Sequence, residues 1–286
     1  MDCLNPYHVD RGSKQAAPFS GGFLVVPCGQ CRHCKVQRTA EWTMRLLHES
    51  EYWSEKCFVT LTYSEENLPA DGNLRKRDLQ TFFKRLRKRG HVFRYYACGE
   101  YGEKFGRPHY HAILFGLDNQ DEINQTWALG RVHCGSVEPD SIRYVAQYID
   151  KKHGGAAFNL EGRINNFQIC SQGLGKRYLQ DNLQELAARG VRYRGTQRGL
   201  PRYYLKKIKE WVHTGEIDRC IEDRVKATLS DRKREAEVTR NIREMDHAAR
   251  SWDSKFQIEI SKKIQLRREQ VDRIHEARIG RRTGKL

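Results

Sequence analysis

The sequence predicts an α+β catalytic body set between a cysteine-rich N-terminal segment and a basic, helical C-terminal extension. Three observations point there. Short β-branched or aromatic runs alternate with helical patterns between residues 56 and 210. Two of those runs flank a loop rich in Gly and charge, as the arms of an antiparallel hairpin do. Residues 211–286 contain no proline and are dense in Arg, Lys and Glu. The expected divisions are therefore 1–55, 56–210 and 211–286.

The strand candidates of the body are Cys57–Tyr63, Phe93–Gly99, His109–Gly116 and Arg131–Val137. Between the first two, Leu79, Phe82, Phe83 and Leu86 fall at the i, i+3, i+4, i+7 spacing of a helix, with Asn73 as its cap and Gly90 as its stop. Its other face carries Lys76, Arg77, Lys84, Arg85, Arg87, Lys88 and Arg89, either contacts for phosphates or a solvated face. In the first segment a helix runs from Val36 to Tyr52, with Ala40, Met44 and Leu47 as its apolar stripe. In the last, Trp252, Phe256, Ile260 and Ile264 recur every four residues, which predicts amphipathic helices that dock on the body, pair with another chain or lie along DNA.

The 286 residues carry 52 Lys and Arg against 36 Asp and Glu, a formal charge of +16. A polyanionic partner follows, and nucleic acid fits better than a membrane, because the longest apolar stretches, such as Phe23-Leu24-Val25-Val26, are too short to span or anchor. The opening Met1-Asp2-Cys3-Leu4-Asn5-Pro6 has neither the basic nor the apolar region of a leader, so the chain is expected to stay in the cytoplasm that makes it. Nine cysteines, an odd number with three in one motif, argue for metal ligation over a disulfide framework.

On the strand His109–Gly116 alternate residues share a face, so His109 and His111 point the same way. Ile113 and Phe115 continue that face, while Tyr110, Ala112 and Leu114 make an apolar second one, the pattern of a central strand. Glu100 lies nine residues before His109, where hairpin pairing brings it alongside; Glu103 is a second candidate inside the loop. Two imidazoles and a carboxylate hold a divalent ion with coordination positions left open for a phosphate oxygen. A His-x-His pair alone is also what two ordinary polar residues look like.

Asp140-Ser141 can cap a helix running from Ile142 to Lys152 before Gly154-Gly155. Ile142, Val145 and Ile149 form one stripe, and Tyr144, Tyr148 and Lys151 form another. Tyrosines displayed off the apolar stripe suit nucleophiles, since a phenol of pKa about 10 attacks phosphorus once a metal drains charge from its oxygens. Lys151 favours the phenolate or steadies the phosphate. The plainer alternative is a surface helix with two half-buried tyrosines.

Cys28-x-x-Cys31-x-x-Cys34 with Cys3 upstream supplies four thiolates for a tetrahedral structural zinc, with His8 or His33 as substitutes for one of them. An iron–sulfur cluster is the second reading, although no fourth cysteine and proline follow at ferredoxin spacing. Cys57, Cys98, Cys134, Cys170 and Cys220 read as small buried residues.

In order and spacing, Phe58-Val59-Thr60-Leu61-Thr62-Tyr63, Gly99-Glu100-Tyr101-Gly102, Arg107-Pro108-His109-Tyr110-His111 and Tyr144-x-x-x-Tyr148-x-x-Lys151 resemble the motifs of HUH rolling-circle initiators. The likeness is nearest to the initiators of small single-stranded DNA phages, the gokushovirus group of microviruses. Val26-Pro27-Cys28-Gly29-Gln30-Cys31 followed by Glu41-Trp42 resembles their opening, and the likeness covers residues 1–205. It implies an antiparallel sheet with flanking helices, the RRM-like palm of that family. It also implies metal ligation of magnesium or manganese by His109, His111 and Glu100, and paired nucleophiles at Tyr144 and Tyr148. The implied reaction nicks the viral strand at the origin through a 5′-phosphotyrosine and rejoins a unit-length circle.

Gly173-Leu174-Gly175-Lys176 has the wrong spacing for a phosphate loop, so unwinding falls to a host helicase working with a host polymerase. Competing readings are an HUH transposase or relaxase and a non-catalytic, zinc-dependent DNA-binding regulator.

Overall fold

The computed structural model describes residues 3–9, 24–102, 104–147, 162–193, 196–249 and 262–274. The chain divides into two units, Met1–Arg177 and Tyr178–Leu286.

The first unit opens with a small antiparallel ladder, β1 (Tyr7–Val9) on β2 (Leu24–Val26), and then α1 (Arg32–Ser50). The helix starts four residues before the expected Val36, because Cys31 caps it directly after the cysteine turn. Its buried positions are Thr43, Met44, Leu46, His48 and Glu49, so the stripe expected through Ala40 and Leu47 is displaced. The cause is polar. The Glu49 carboxylate is turned inward, where it accepts the Trp53 Nε1–H at 3.0 Å and the Gly175 N–H at 2.7 Å and lies 3.3 Å from an Arg94 guanidinium nitrogen. A buried acid with three such partners is satisfied, and a hydrophobic pattern cannot foresee it.

β3 (Lys56–Tyr63) alternates strictly, with Cys57, Val59, Leu61 and Tyr63 buried on one face. α2 (Lys76–Lys88) lays Leu79, Phe82, Phe83 and Leu86 against that face, as its spacing predicts. Burying each of those side chains stabilises the fold by about 1.5–3 kcal/mol. Gly90 ends the helix at φ +95°, the left-handed region that glycine enters without strain. Asn73 is not its cap. The helix begins at Lys76, and the Asn73 side chain instead joins Asp71, the Tyr101 hydroxyl and the Ile164 N–H, fastening the loop that leads in.

β4 (Arg94–Tyr101) and β5 (Pro108–Phe115) form the expected hairpin. After them come α3 (Gln120–Thr126), β6 (Gly130–Gly135), α4 (Pro139–Gln147) and β7 (Phe167–Cys170). The sheet order is β6-β3-β5-β4-β7, with every pair antiparallel and β5 in the centre. β3 and β4 are thus parallel to each other with β5 between them, as β5 and β6 are with β3 between them. That is the β-α-β-β-α-β arrangement of ferredoxin-like and RRM-like folds, extended by β7 at one edge.

Two apolar layers cover the sheet. On one face α2 and α3 pack over Val59, Leu61, Tyr110, Ala112 and Leu114. On the other, Leu46 from α1 and Ile142 and Val145 from α4 pack over Tyr96, Cys98, Ile113 and Phe115. The first layer has a polar seam. The Tyr63 and Tyr110 hydroxyls lie 2.7 Å apart, Tyr63 donates to Asp78 at 2.7 Å, and Tyr110 accepts the Arg75 N–H at 2.8 Å, pinning β3, β5 and the start of α2.

α4 starts at Pro139, before the expected Asp140-Ser141 cap; a proline suits a first helical position, and the Ser141 hydroxyl accepts the Glu138 N–H at 2.7 Å. Its expected continuation through Tyr148, Ile149 and Lys151 lies outside the described residues.

The second unit is largely helical. α5 (Lys176–Asp181) straddles the division, followed by α6 (Leu183–Arg189), the ladder of β8 (Val191–Tyr193) on β9 (Thr196–Arg198), α7 (Arg202–His213) and α8 (Arg219–Ala249). α8 has 31 residues, about 45 Å at a rise of 1.5 Å per residue. Tyr204, Ile208 and Trp211 are the buried positions of α7, and the Thr228 hydroxyl of α8 donates to the Ala187 carbonyl of α6 at 3.0 Å. Residues 262–274 are helical and bury Ile264, while Trp252, Phe256 and Ile260 lie outside the described residues. No described helix is long and apolar enough to cross a membrane.

Candidate metal centre

Strand register assembles the centre. Glu100 stands directly opposite His109, Thr60 opposite His111 and Thr62 opposite His109, and directly opposed residues share a sheet face. The face is the one that Ile113 and Phe115 continue under α1 and α4. His109 and His111 occupy its end, beyond the apolar layer.

Glu100 Oε1 lies 2.8 Å from His109 Nε2 and 3.1 Å from His111 Nε2. The three ligand atoms fall within 4.8 Å of one another. The Glu100 and His111 side chains are 7% and 6% exposed and His109 17%, so the centre opens at His109. Burial works to raise the Glu100 pKa, but hydrogen bonds from His109 and His111 outweigh it, and the carboxyl ends below its ordinary range.

The imidazoles are held from behind. His109 Nδ1 lies 3.1 Å from the Arg107 carbonyl, which only accepts, so Nδ1 carries the proton and the Nε2 lone pair faces Glu100. A lone pair and a carboxylate oxygen 2.8 Å apart repel unless a proton or a cation lies between them. His111 Nδ1 is 3.0 Å from the Thr60 hydroxyl, fixing its ring with Nε2 inward. Two nitrogens and one oxygen so arranged suit a divalent ion with positions left open.

Tyr144 stands over this end. Its ring is 5.6 Å from the His111 ring and 6.3 Å from Phe58, edge-on to both, and it remains 46% exposed. Ile142, Val145 and Ala146 are the buried positions of α4, so Tyr144 lies off the apolar stripe, as read from the sequence. Tyr148, Lys151 and Glu103 lie outside the described residues.

Arg131 and His133 are site neighbours that sequence reasoning missed. Both are exposed on β6 and stand opposite Thr62 and Thr60, so they extend the same polar face by one strand. Their i, i+2 spacing is visible in the chain, but only sheet order sets them beside the centre.

A second cluster lies at the start of α1. The sulfurs of Cys3, Cys28, Cys31 and Cys34 fall within 4.8 Å of one another, with Cys3 to Cys31 at 3.8 Å and Cys28 to Cys34 at 4.0 Å. Backbone amides aim at them. The Cys31 N–H donates to Cys28 at 3.3 Å and the Cys28 N–H to Cys3 at 3.2 Å. Cys28 is lowered by the Cys31 and Gln30 amides, Cys31 is brought down to about 6 by the Cys34 amide first, and burial pushes Cys34 up to about 12. Four converging sulfurs with amide donors fit a closed tetrahedral metal site. The side chain of His8 lies outside the described residues.

Comparison with known proteins agrees with this geometry. Replication-associated protein VP4 of Bdellovibrio phage phiMH2K is 30% identical over 275 residues, covering 82% of this chain and 84% of that one. This chain belongs to the replication-associated proteins of small single-stranded DNA phages. Replication-associated protein ORF2 of Spiroplasma virus 4 is 28% identical, covering 78% of this chain and 81% of its own. Replication-associated protein ORF4 of Chlamydia phage 1 is 26% identical, covering 73% and 59%. The family described as replication-associated protein of the ORF2 type matches residues 56–153. That span holds Thr60, Glu100, His109, His111 and Tyr144 and leaves the cysteine cluster outside. No solved structure matches the chain.

Proposed function

We propose that this replication-associated protein starts rolling-circle replication by nicking the viral DNA strand at the origin, with tyrosines on and just beyond α4 as nucleophiles. The observation that carries the reading is the convergence of Glu100 on His109 and His111 beside the exposed ring of Tyr144.

Glu100, His109 and His111 would hold magnesium or manganese, which when bound withdraws charge from the scissile phosphate. The Tyr144 or Tyr148 oxygen attacks phosphorus, the bond to the 3′-oxygen breaks, and that oxygen leaves as a 3′-hydroxyl after taking a proton. Lys151 steadies the phenolate or the phosphate. The 5′-phosphate remains on tyrosine as an ester that conserves the energy of the broken bond, so a later 3′-hydroxyl can reverse the step and close a circle. Two tyrosines let a second cut follow while the first ester persists. Cys3, Cys28, Cys31 and Cys34 would hold a structural zinc that ties the N-terminus to α1.

A single-stranded origin oligonucleotide incubated with the chain and a divalent ion tests this. The expected product is a denaturant-stable protein–DNA adduct that maps to Tyr144 or Tyr148 and disappears with chelator. An adduct that survives Tyr144→Phe combined with Tyr148→Phe overturns the nucleophile assignment. A chain that binds DNA with steep salt dependence yet forms no adduct would be a regulator instead.

A further inference from the structure

We infer that the outward face of α2 is a second nucleic-acid site, one that holds duplex DNA by its phosphates on the side of the sheet opposite the metal centre. The choice of DNA as occupant rests on the replication function proposed above.

Leu79, Phe82, Phe83 and Leu86 turn into the α2 layer, which leaves Lys76, Arg77, Lys84, Arg85 and Lys88 exposed with Gln80 on the other side. None of these five side chains makes a hydrogen bond, ion pair or ring contact with a described residue. The cations around them are engaged: Arg89 pairs with Glu122 at 2.8 Å, and Arg87 lies over Phe93 at 4.9 Å. Asp78, the acid of the helix, accepts the Tyr63 hydroxyl. The outward face therefore carries charge of one sign with no internal counter-charge.

Helix electrostatics account for half of that pattern. Cations in the last turn complement the negative end of the helix dipole, which explains Arg85 and Lys88. Lys76 and Arg77 occupy the first turn, where the dipole disfavours positive charge. A polyanion lying along the whole helix resolves the conflict. From Lys76 to Lys88 the row spans about 18 Å, on the order of five phosphate steps of one DNA strand. No aromatic side chain projects from this face, so it lacks the stacking platform that single strands use. A straight row of charges without stacking partners fits the regular backbone of a duplex.

The test uses the full chain and a 20-base-pair duplex in a salt titration, with the combined variant Arg77→Gln, Lys84→Gln, Arg85→Gln, Lys88→Gln. We expect duplex affinity to fall by at least about tenfold and the slope of log K against log salt to shrink by roughly three to four. Adduct formation on a short single-stranded oligonucleotide stays unchanged, which also shows that the variant is folded. Replacing the two arginines by lysine alone should restore most duplex binding. Unchanged duplex affinity and slope would overturn the site, as would loss of binding to phosphatidylserine vesicles with none to duplex. A wild-type chain that forms no adduct, yet loses the salt slope in the variant, sinks the nicking reaction and leaves this site standing.

Discussion

Glu100 and His109 face each other across the β4–β5 hairpin with 2.8 Å between Oε1 and Nε2, and His109 has already committed its other ring nitrogen to the Arg107 carbonyl. The carboxylate is thus committed to the two imidazoles, and several measurable consequences follow.

Glu100→Gln keeps shape but removes the charge. Divalent-ion affinity by calorimetry should fall at least about tenfold. In the metal-free protein the folded Glu100 pKa is below its ordinary value of 4.5, so its stabilisation is present above that value and lost as pH falls through the folded pKa. The acid limb of the stability curve should be shallower in the variant. An identical limb would show that the carboxylate does not pair with the imidazoles.

His48 is buried in α1 at 6% exposure, and burial lowers its pKa from 6.5 to about 4. The folded state then binds fewer protons than the unfolded chain between those values, so stability falls as pH drops from 6.5 toward 4. The loss is on the order of 3 kcal/mol. Denaturant melts across that window should show a flatter dependence for His48→Leu than for the wild type, whatever the baseline change.

Tyr110→Phe removes the hydroxyl that accepts the Arg75 N–H and meets Tyr63. A buried donor left unpaired costs about 1–3 kcal/mol, read as a lower unfolding midpoint. Because Tyr110 faces α2 and not the metal centre, divalent-ion affinity should hold; a large drop would mean that the two sheet faces are coupled.

Cys28→Ser should remove one tightly bound zinc per chain by elemental analysis and lower the melting temperature, while adduct formation persists at reduced temperature. Unchanged metal content would refute the four-cysteine ligand set.

Much of this was legible in the chain itself because it is local. Period-two alternation put His109 and His111 on one face, hairpin spacing brought Glu100 to them, and the i, i+3, i+4, i+7 spacing of Leu79 to Leu86 set the inward face of α2. Each depends only on backbone geometry repeating over a few residues. What lay beyond reach was whatever needs a partner distant in sequence. Thr60 supports His111 because β3 lies beside β5, Arg131 and His133 join the polar face because β6 lies beside β3, and β7, four half-buried residues without alternation, becomes a strand by pairing with β4. Asn73 and Glu49 went to distant polar partners in preference to the cap and the surface that local pattern favours. The sequence alone determined the ligands and the faces they occupy. Tertiary structure decided that Tyr144 stands against His111, since only the packing of α4 on the sheet brings a helix and a strand more than thirty residues apart to one place.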